Sequence, residues 1–130
     1  MRPVIIAATL AFAMAGTTAN ADPIEGVWQT QPDEGAFAYV TIKPCGGAFC
    51  GDISRTFKDK AEYRSPNLGR RIVFDMAPQG GNTYTGKVWR PANDKIYRGK
   101  ASVSGDRMSL SGCVAGGLIC KSRTWVRISG

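Results

Sequence analysis

Apolar and polar residues alternate along most of this chain. Beyond residue 25, short alternating runs recur between turn residues, and no stretch of about 11 or more residues carries apolar positions at helical spacing. The pattern predicts an all-β fold. Eight strands are expected, over residues 26–31, 37–43, 49–55, 70–76, 83–90, 95–103, 107–111 and 120–128. The intervening turns are short and rich in Gly, Pro, Asn and Asp, which favours antiparallel neighbours in sequential order.

Eight such strands can close into an up-and-down barrel, filled by side chains or holding one small ligand. A two-sheet sandwich is the alternative. The long charged connection at 56–69 is expected to carry one helical turn or to form a lid over one barrel end. A register error of one residue would invert the face of any strand. Alternation assigns these residues to the interior: Trp28, Val40, Ile42, Ile72, Phe74, Tyr97, Val103, Met108 and Leu110.

The first 21 residues have the layout of a secretory signal peptide. Arg2 precedes an apolar run, which is followed by small residues ending in Ala19-Asn20-Ala21. We predict cleavage after Ala21, which leaves a single domain of residues 22–130 in the periplasm or secreted from the cell. The apolar run is too short for a permanent anchor, and no later segment reaches the length of a transmembrane span.

The chain is basic, with a formal net charge of +7 that falls to +6 when Arg2 leaves with the signal peptide. Such a charge attracts anions, including lipid headgroups, acidic glycans and nucleic acid. Because export is predicted and the basic residues are scattered, we expect no nucleic-acid partner, and we expect a monomer. Arg90, Arg98 and Lys100 form a basic stripe on neighbouring strands, for which a solvated outer face is the simpler interpretation.

Four cysteines in a small exported chain indicate two disulfides. Three pairings are formally open. The simplest joins Cys45 to Cys50 and Cys113 to Cys120, across two Gly-rich hairpin ends. A zinc site made by all four is the alternative, but zinc ribbons show closer Cys spacing and work in reducing compartments. We therefore expect no metal.

Several motifs are similar to those of a known family. They are Gly26-x-Trp28, Cys50-Gly51-Asp52-Ile53, a Gly86-containing strand that runs into Pro91, Tyr97, and Cys120-x-Ser122-x-Thr124-Trp125-x-Arg127. In their order and spacing, the chain resembles the DUF2147 family of small exported bacterial proteins over nearly all of its mature part. The resemblance implies a lipocalin-like, calycin-type barrel and no settled biochemical activity.

The resemblance also implies how the barrel closes. In lipocalins an early Gly-x-Trp packs near a basic side chain of the last strand, so Gly26 and Trp28 are expected to meet Arg123 or Arg127, with Trp125 in the same seam. An Arg over a Trp face contributes about 0.5–2 kcal/mol. The chain departs from ligand-carrying lipocalins in being short and in lacking the long helix that commonly follows the barrel.

The chemistry of the chain argues against an enzyme. It contains no histidine, the usual general base near neutral pH. Nucleophile-elbow, phosphate-loop and dinucleotide motifs are missing from the sequence. A carboxylate-based hydrolase is the remaining enzymatic alternative, for which Asp52 and Asp75, both in predicted strands, are the residues to inspect. No cofactor is expected.

Two non-enzymatic functions remain open. The first is a periplasmic binding module that holds a small amphipathic or apolar ligand, contacted by Trp28, Phe74, Arg90 and Tyr97. The second is a filled barrel that acts as an envelope interaction or inhibitor protein, with no internal ligand, through an exposed apolar or basic patch. A packed interior would exclude the first function.

Overall fold

A computed structural model describes residues 21–130, so the predicted signal peptide lies outside the described residues except for Ala21. The strands are β1 Gly26–Gln29, β2 Ala36–Cys45, β3 Ala48–Lys58, β4 Ala61–Glu62, β5 Arg71–Gly80, β6 Thr83–Arg90, β7 Lys95–Ser104, β8 Arg107–Val114 and β9 Ile119–Ser129. A 3₁₀ turn, Ala115–Gly117, joins β8 to β9. The described part of the chain contains no helix with the length and hydropathy of a membrane span.

Eight of these strands close into an antiparallel barrel. Each pairs with the next along the chain, β3 with β5, and the last strand β9 returns to pair with β1. In that seam Trp28 lies opposite Arg127, and Gln29 lies opposite Val126. The predicted lipocalin-like up-and-down barrel is therefore confirmed. The remaining strand, β4, is outside the barrel. It has two residues and forms a hairpin on the end of β3.

The connections fall at two ends of the barrel. We call one end the mouth; it is formed by residues 30–35, 59–70, 91–94 and 115–118. We call the other end the base; it is formed by residues 22–25, 46–47, 81–82 and 105–106. The two ends differ in how completely side chains fill them.

The base half of the barrel is solidly packed. The largest fully buried side chains are Trp28, Ile24, Ile42, Met76, Met108, Val40 and Val73. The segment before β1 seals this half, because the Trp28 indole N–H donates to the Ile24 carbonyl at 2.9 Å. The Tyr84 hydroxyl, from β6, bonds to the Asp22 carboxylate in the same segment. The pKa of Tyr84 is raised, mainly by burial of its hydroxyl and secondly by its hydrogen bond to that carboxylate.

The predicted interior positions need correction in β5. Gly51 pairs with Val73, whereas the next residue of β3, Asp52, pairs with Arg71. One residue of β5 is therefore extra, which is a β-bulge. The bulge puts Val73 in the core at 1% exposure, while Phe74 pairs with Lys87 on the opposite face and is half-buried.

The connection predicted over 56–69 folds differently from a helical turn. Strand β3 continues to Lys58, and β4 folds back on it. The Thr56 hydroxyl orders the return, because its oxygen accepts the Ser65 N–H at 3.2 Å. The segment is therefore a hairpin and a short loop at the mouth.

Candidate functional site

The mouth half of the barrel encloses a cavity of about 440 Å³. This volume lies within the range of small-molecule sites. Its apolar wall is made by side chains from six strands: Ala38, Ile53, Ile72, Val88, Trp89, Leu110 and Trp125. The cavity stops at the packed base, so a ligand would enter from the mouth.

The cavity exists because side chains become smaller toward the mouth. Along β2 the interior residues, from base to mouth, are Ile42, Val40 and Ala38. Along β8 the corresponding residues are Met108, Leu110 and Gly112. The missing side chain of Gly112 admits the Tyr97 ring, since a Cβ there would lie 3.3 Å from Tyr97 Cγ. Two tapering strands thus leave one half of the barrel unfilled.

An ion pair spans the mouth. Arg90, at the end of β6, donates from Nε and Nη2 to the two carboxylate oxygens of Asp33, each at 2.7 Å. Asp33 lies between β1 and β2, on the wall opposite β6. Arg123 Nη2 is 3.7 Å from the same carboxylate. The hydrogen bond from Arg90 is the main reason why the pKa of Asp33 is lowered, against the opposing effect of its partial burial.

Cations outnumber carboxylates along the cavity lining. The cations are Lys58, Arg90, Lys121 and Arg123, and the carboxylates are Asp33 and Glu34. The Glu34 side chain is 75% exposed. Lys121 and Arg123 both help to lower the pKa of Asp33, so they lie in its electrostatic field. The mouth therefore has a positive electrostatic potential.

Trp89 lies at the end of β6 with both polar and cationic contacts. Its indole N–H donates to Asp94 Oδ1 at 2.9 Å, and the Arg70 guanidinium carbon is 4.0 Å from the ring centroid. Trp89 is buried and is among the residues that line the cavity. These contacts fix an aromatic wall in a single orientation.

The residues predicted to contact a ligand divide into two groups. Arg90 and Tyr97 line the cavity, and the Tyr97 hydroxyl accepts a hydrogen bond from Asn93 at 2.7 Å. Trp28 and Phe74 are outside the lining. Trp28 is fully buried in the packed base, and the bulge in β5 puts Phe74 on the face of Lys87, where it is partly buried against the core.

Asp33, Trp89 and Lys121 are among the lining residues that sequence reasoning did not assign to a ligand site. Asp33 sits in the turn Pro32-Asp33-Glu34-Gly35, where a solvated carboxylate is ordinary. Trp89 and Lys121 stand in predicted strands, and no motif assigns either side chain to a cavity. Only the pairing of distant strands brings Lys121 and Trp89 to the same cavity, so no local signal marks them.

The closing contact at the base is made by Arg127. Its guanidinium carbon lies 4.3 Å from the Trp28 ring centroid, and it donates to the Glu25 carbonyl at 2.7 Å. Arg123, the other basic residue predicted for this contact, lies instead at the mouth. Four residues of strand span about 13 Å, so the two arginines reach different ends. Trp125, between them, is buried opposite Met108 and lines the cavity.

Gly26 is required at the same seam by backbone geometry. Its φ is +131°, and a Cβ there would lie 2.6 Å from the Ser129 carbonyl oxygen. A side chain would therefore push β9 away from β1. The early Gly-x-Trp motif combines this close approach with the indole that Arg127 covers.

The four cysteines form two local pairs, as predicted. Cys45–Cys50 closes the β2–β3 hairpin at the base, and Cys113–Cys120 closes the β8–β9 hairpin at the mouth. Their separation excludes one site made by all four. Within residues 21–130, one cluster with metal-ligating residue types combines Cys45 and Cys50 with Asp75, but its sulfurs are bonded to each other and are not thiolates.

The two carboxylates singled out from the sequence are not brought together in the cavity. Asp52 accepts a hydrogen bond from Arg71 Nε at 2.8 Å on the exposed face, and this contact is the main cause of its lowered pKa. Asp75 is exposed and has a φ of 49° in the irregular part of β5. Neither residue lines the cavity.

Comparisons with known proteins agree with this architecture. A sequence model of the family described as "Uncharacterized protein conserved in bacteria (DUF2147)" matches residues 26–127. Among solved structures, protein HP1028 from the human pathogen Helicobacter pylori, described as belonging to the lipocalin family, is similar with a TM-score of 0.65. The identity is 20%, over 82% of this chain and 83% of that chain. No curated protein matches the chain. The structural likeness supports the fold alone.

Proposed function

The chain belongs to the DUF2147 family of uncharacterized bacterial proteins, and we propose that its barrel binds a small amphipathic ligand, with an apolar body in the cavity and an anionic head at the mouth. The observation that carries this proposal is the tapered interior, packed at the base and open at the mouth below a net-positive rim. We place this binding in the periplasm, because two disulfides suit an oxidising compartment.

The apolar wall favours a hydrocarbon or ring system as the ligand's body. Burial of each methylene is worth about 0.8 kcal/mol, so a chain of about eight buried methylenes gains roughly 6 kcal/mol before the entropy of binding is subtracted. The rigid rings of Trp89 and Trp125 on the wall limit the cost of ordering the site. The cavity speaks against the alternative of a wholly filled barrel.

The rim favours an acidic head group. Arg123 is too far from Asp33 for a hydrogen bond, and within residues 21–130 its guanidinium donates none to another side chain or carbonyl. Its planar donors suit a carboxylate, sulfonate or phosphate. Arg90 stands beside it, and Lys121 adds charge without a carboxylate partner within 4.0 Å in the described chain.

Binding rather than catalysis is proposed because the cavity's carboxylates are poorly suited to proton transfer. Arg90 lowers the pKa of Asp33, which keeps it ionised, and Glu34 is largely solvated. A general acid near neutral pH needs the opposite, a carboxyl group whose pKa is raised.

Titration calorimetry with three ten-carbon probes tests the proposal: decanoate, decanol and decyltrimethylammonium. Decanoate is expected to bind most tightly and the cation least tightly, because the rim is positive. Arg123→Met is expected to weaken decanoate binding by roughly tenfold or more, with decanol little changed. Arg55→Met is the matched control, since Arg55 pairs with Glu62 on the exposed face. Equal affinity for all three probes, or none for a folded protein, would contradict the proposal.

A further inference from the structure

The hairpin between β8 and β9 ends in exposed apolar side chains. Leu118 is 88% exposed, Ile119 is 64% exposed and Val114 is 47% exposed. Val114 pairs with Ile119, and Leu118 lies between them in the turn. We call these three residues the apolar tip. Single exposed apolar residues are ordinary, but three adjacent ones at a turn form a contiguous patch of the kind found at interaction sites.

The apolar tip is held in place by the residues next to it. Cys113 and Cys120 pair directly below it and are joined by a disulfide. The same hairpin supplies Gly112, Lys121 and Arg123 to the cavity lining. The tip therefore stands on the rim of the mouth, and whatever covers it lies against the cavity entrance.

Positive charge surrounds the apolar tip. Lys121 follows Ile119 by two residues, and Arg98 approaches the turn from β7, with its Cδ 3.6 Å from the position of a Cβ on Gly117. Within residues 21–130, neither Lys121 nor Arg98 has a carboxylate within 4.0 Å. Ile96, on the same neighbouring strand, is 60% exposed. Apolar side chains flanked by unpaired cations complement the surface of an anionic bilayer.

We propose that the apolar tip docks the mouth of the barrel on an anionic lipid bilayer. Leu118 and Ile119 enter the headgroup region, and Arg98 and Lys121 face the lipid phosphates. A second copy of this chain fits the tip less well, because the basic surfaces of two copies repel and three side chains make a small contact compared with the roughly 800 Å² per partner of a stable interface. Docking does not require a ligand in the cavity.

The test is co-sedimentation of the disulfide-intact protein with vesicles. One set is phosphatidylcholine and the other is an equal mixture of phosphatidylcholine and phosphatidylglycerol. Binding is expected to the anionic set, to fall as salt is raised, and to drop by at least about tenfold in the double variant Leu118→Ser with Ile119→Ser. The matched control is Val126→Ser with Ile128→Ser, two residues that are 38% and 43% exposed on the base half of β9. This control is expected to bind like the unchanged protein.

A Leu118→Trp variant gives a second readout in case the serine variant is poorly folded. The native Trp28, Trp89 and Trp125 are at most 5% exposed, so a blue shift of emission with anionic vesicles reports the new side chain. Three results would overturn the proposal: no anionic binding, an equal loss in tip and control variants, or a dimer that the tip variant dissociates without any vesicle binding. The decanoate titration uses no vesicles, so failure of docking and failure of ligand binding are distinguishable.

Discussion

Arg127 lies over the indole of Trp28, with its guanidinium carbon 4.3 Å from the ring centroid, and so joins the last strand of the barrel to the first. The same guanidinium donates to the carbonyls of Glu25 and Pro23, in the segment that seals the base. One side chain thus connects three parts of the chain that are distant in sequence. The base is closed by this contact, whereas among residues 21–130 the mouth is spanned by the ion pair of Arg90 with Asp33 and leads into the cavity.

Arg127→Met is expected to destabilise the protein by about 2–4 kcal/mol, because it removes a cation–π contact and charge-assisted bonds to three carbonyls. Urea unfolding measures the change. Arg123→Met, the same substitution four residues earlier on the same strand, is the control and is expected to lose less than about 1 kcal/mol, since Arg123 makes only a long ion pair. Equal losses would show that the contact with Trp28 has no special role.

Trp28→Ala is expected to reduce stability without reducing the ligand affinity of the molecules that remain folded. Trp28 is fully buried in the packed base, so truncation leaves a cavity and costs about 3–5 kcal/mol. It is outside the lining of the mouth cavity, so decanoate affinity should be retained below the melting temperature. Thermal melting and calorimetry check the two halves of this prediction, and an unchanged melting temperature would refute the structural role.

The ion pair across the mouth predicts a pH-dependent contribution to stability. Arg90 lowers the folded-state pKa of Asp33 below the ordinary value of 3.8. The pair therefore stabilises the fold at pH values above 3.8, and this contribution is lost as pH falls through the lowered pKa. The difference in unfolding free energy between the unchanged protein and Asp33→Asn should shrink between pH 7 and acid pH. If this difference in unfolding free energy stays constant with pH, the ion pair makes no pH-dependent contribution to stability.

If the proposed acidic ligand binds at the mouth, Asp33 competes with it for the same guanidinium groups. Asp33→Asn should therefore bind decanoate severalfold more tightly at pH 7, while decanol binds as before. Asp52→Asn is the control, since Asp52 pairs with Arg71 on the exposed face, away from the cavity. Calorimetry at fixed ionic strength decides the matter. Weaker decanoate binding in Asp33→Asn would mean that the Asp33 carboxylate helps binding by positioning Arg90, and that this effect exceeds its competition with decanoate.

The alternation of residues predicted the strands best where pairing is regular. Strand β6 runs from Thr83 to Arg90, as expected, because its pairing with β7 is uninterrupted. Strand β5 was misassigned at Phe74 because a bulge depends on the partner strand, and the sequence of β5 alone does not reveal it. A period of two carries no information about an extra residue.

The candidate site was harder to predict than the fold because its lining residues come from strands that are distant in sequence. Small residues at Ala38 and Gly112 are unremarkable on their own strands, and a cavity appears only when both face the same half of the barrel. The role of Arg123 likewise depends on which end of β9 is the mouth. The contact of the Gly-x-Trp motif with the last strand was predicted correctly, because the family resemblance implied that tertiary contact.

The two disulfides, at opposite ends of the barrel, allow stability and docking to be separated. Replacing either pair by alanine, Cys113→Ala with Cys120→Ala or Cys45→Ala with Cys50→Ala, is expected to lower stability by about 2 kcal/mol, because each pair closes a short loop. The first replacement also frees the hairpin that carries Leu118, so it should weaken binding to anionic vesicles. The second leaves the mouth untouched and should bind as before. If both replacements weaken vesicle binding equally, the rigidity of the β8–β9 hairpin does not contribute to docking.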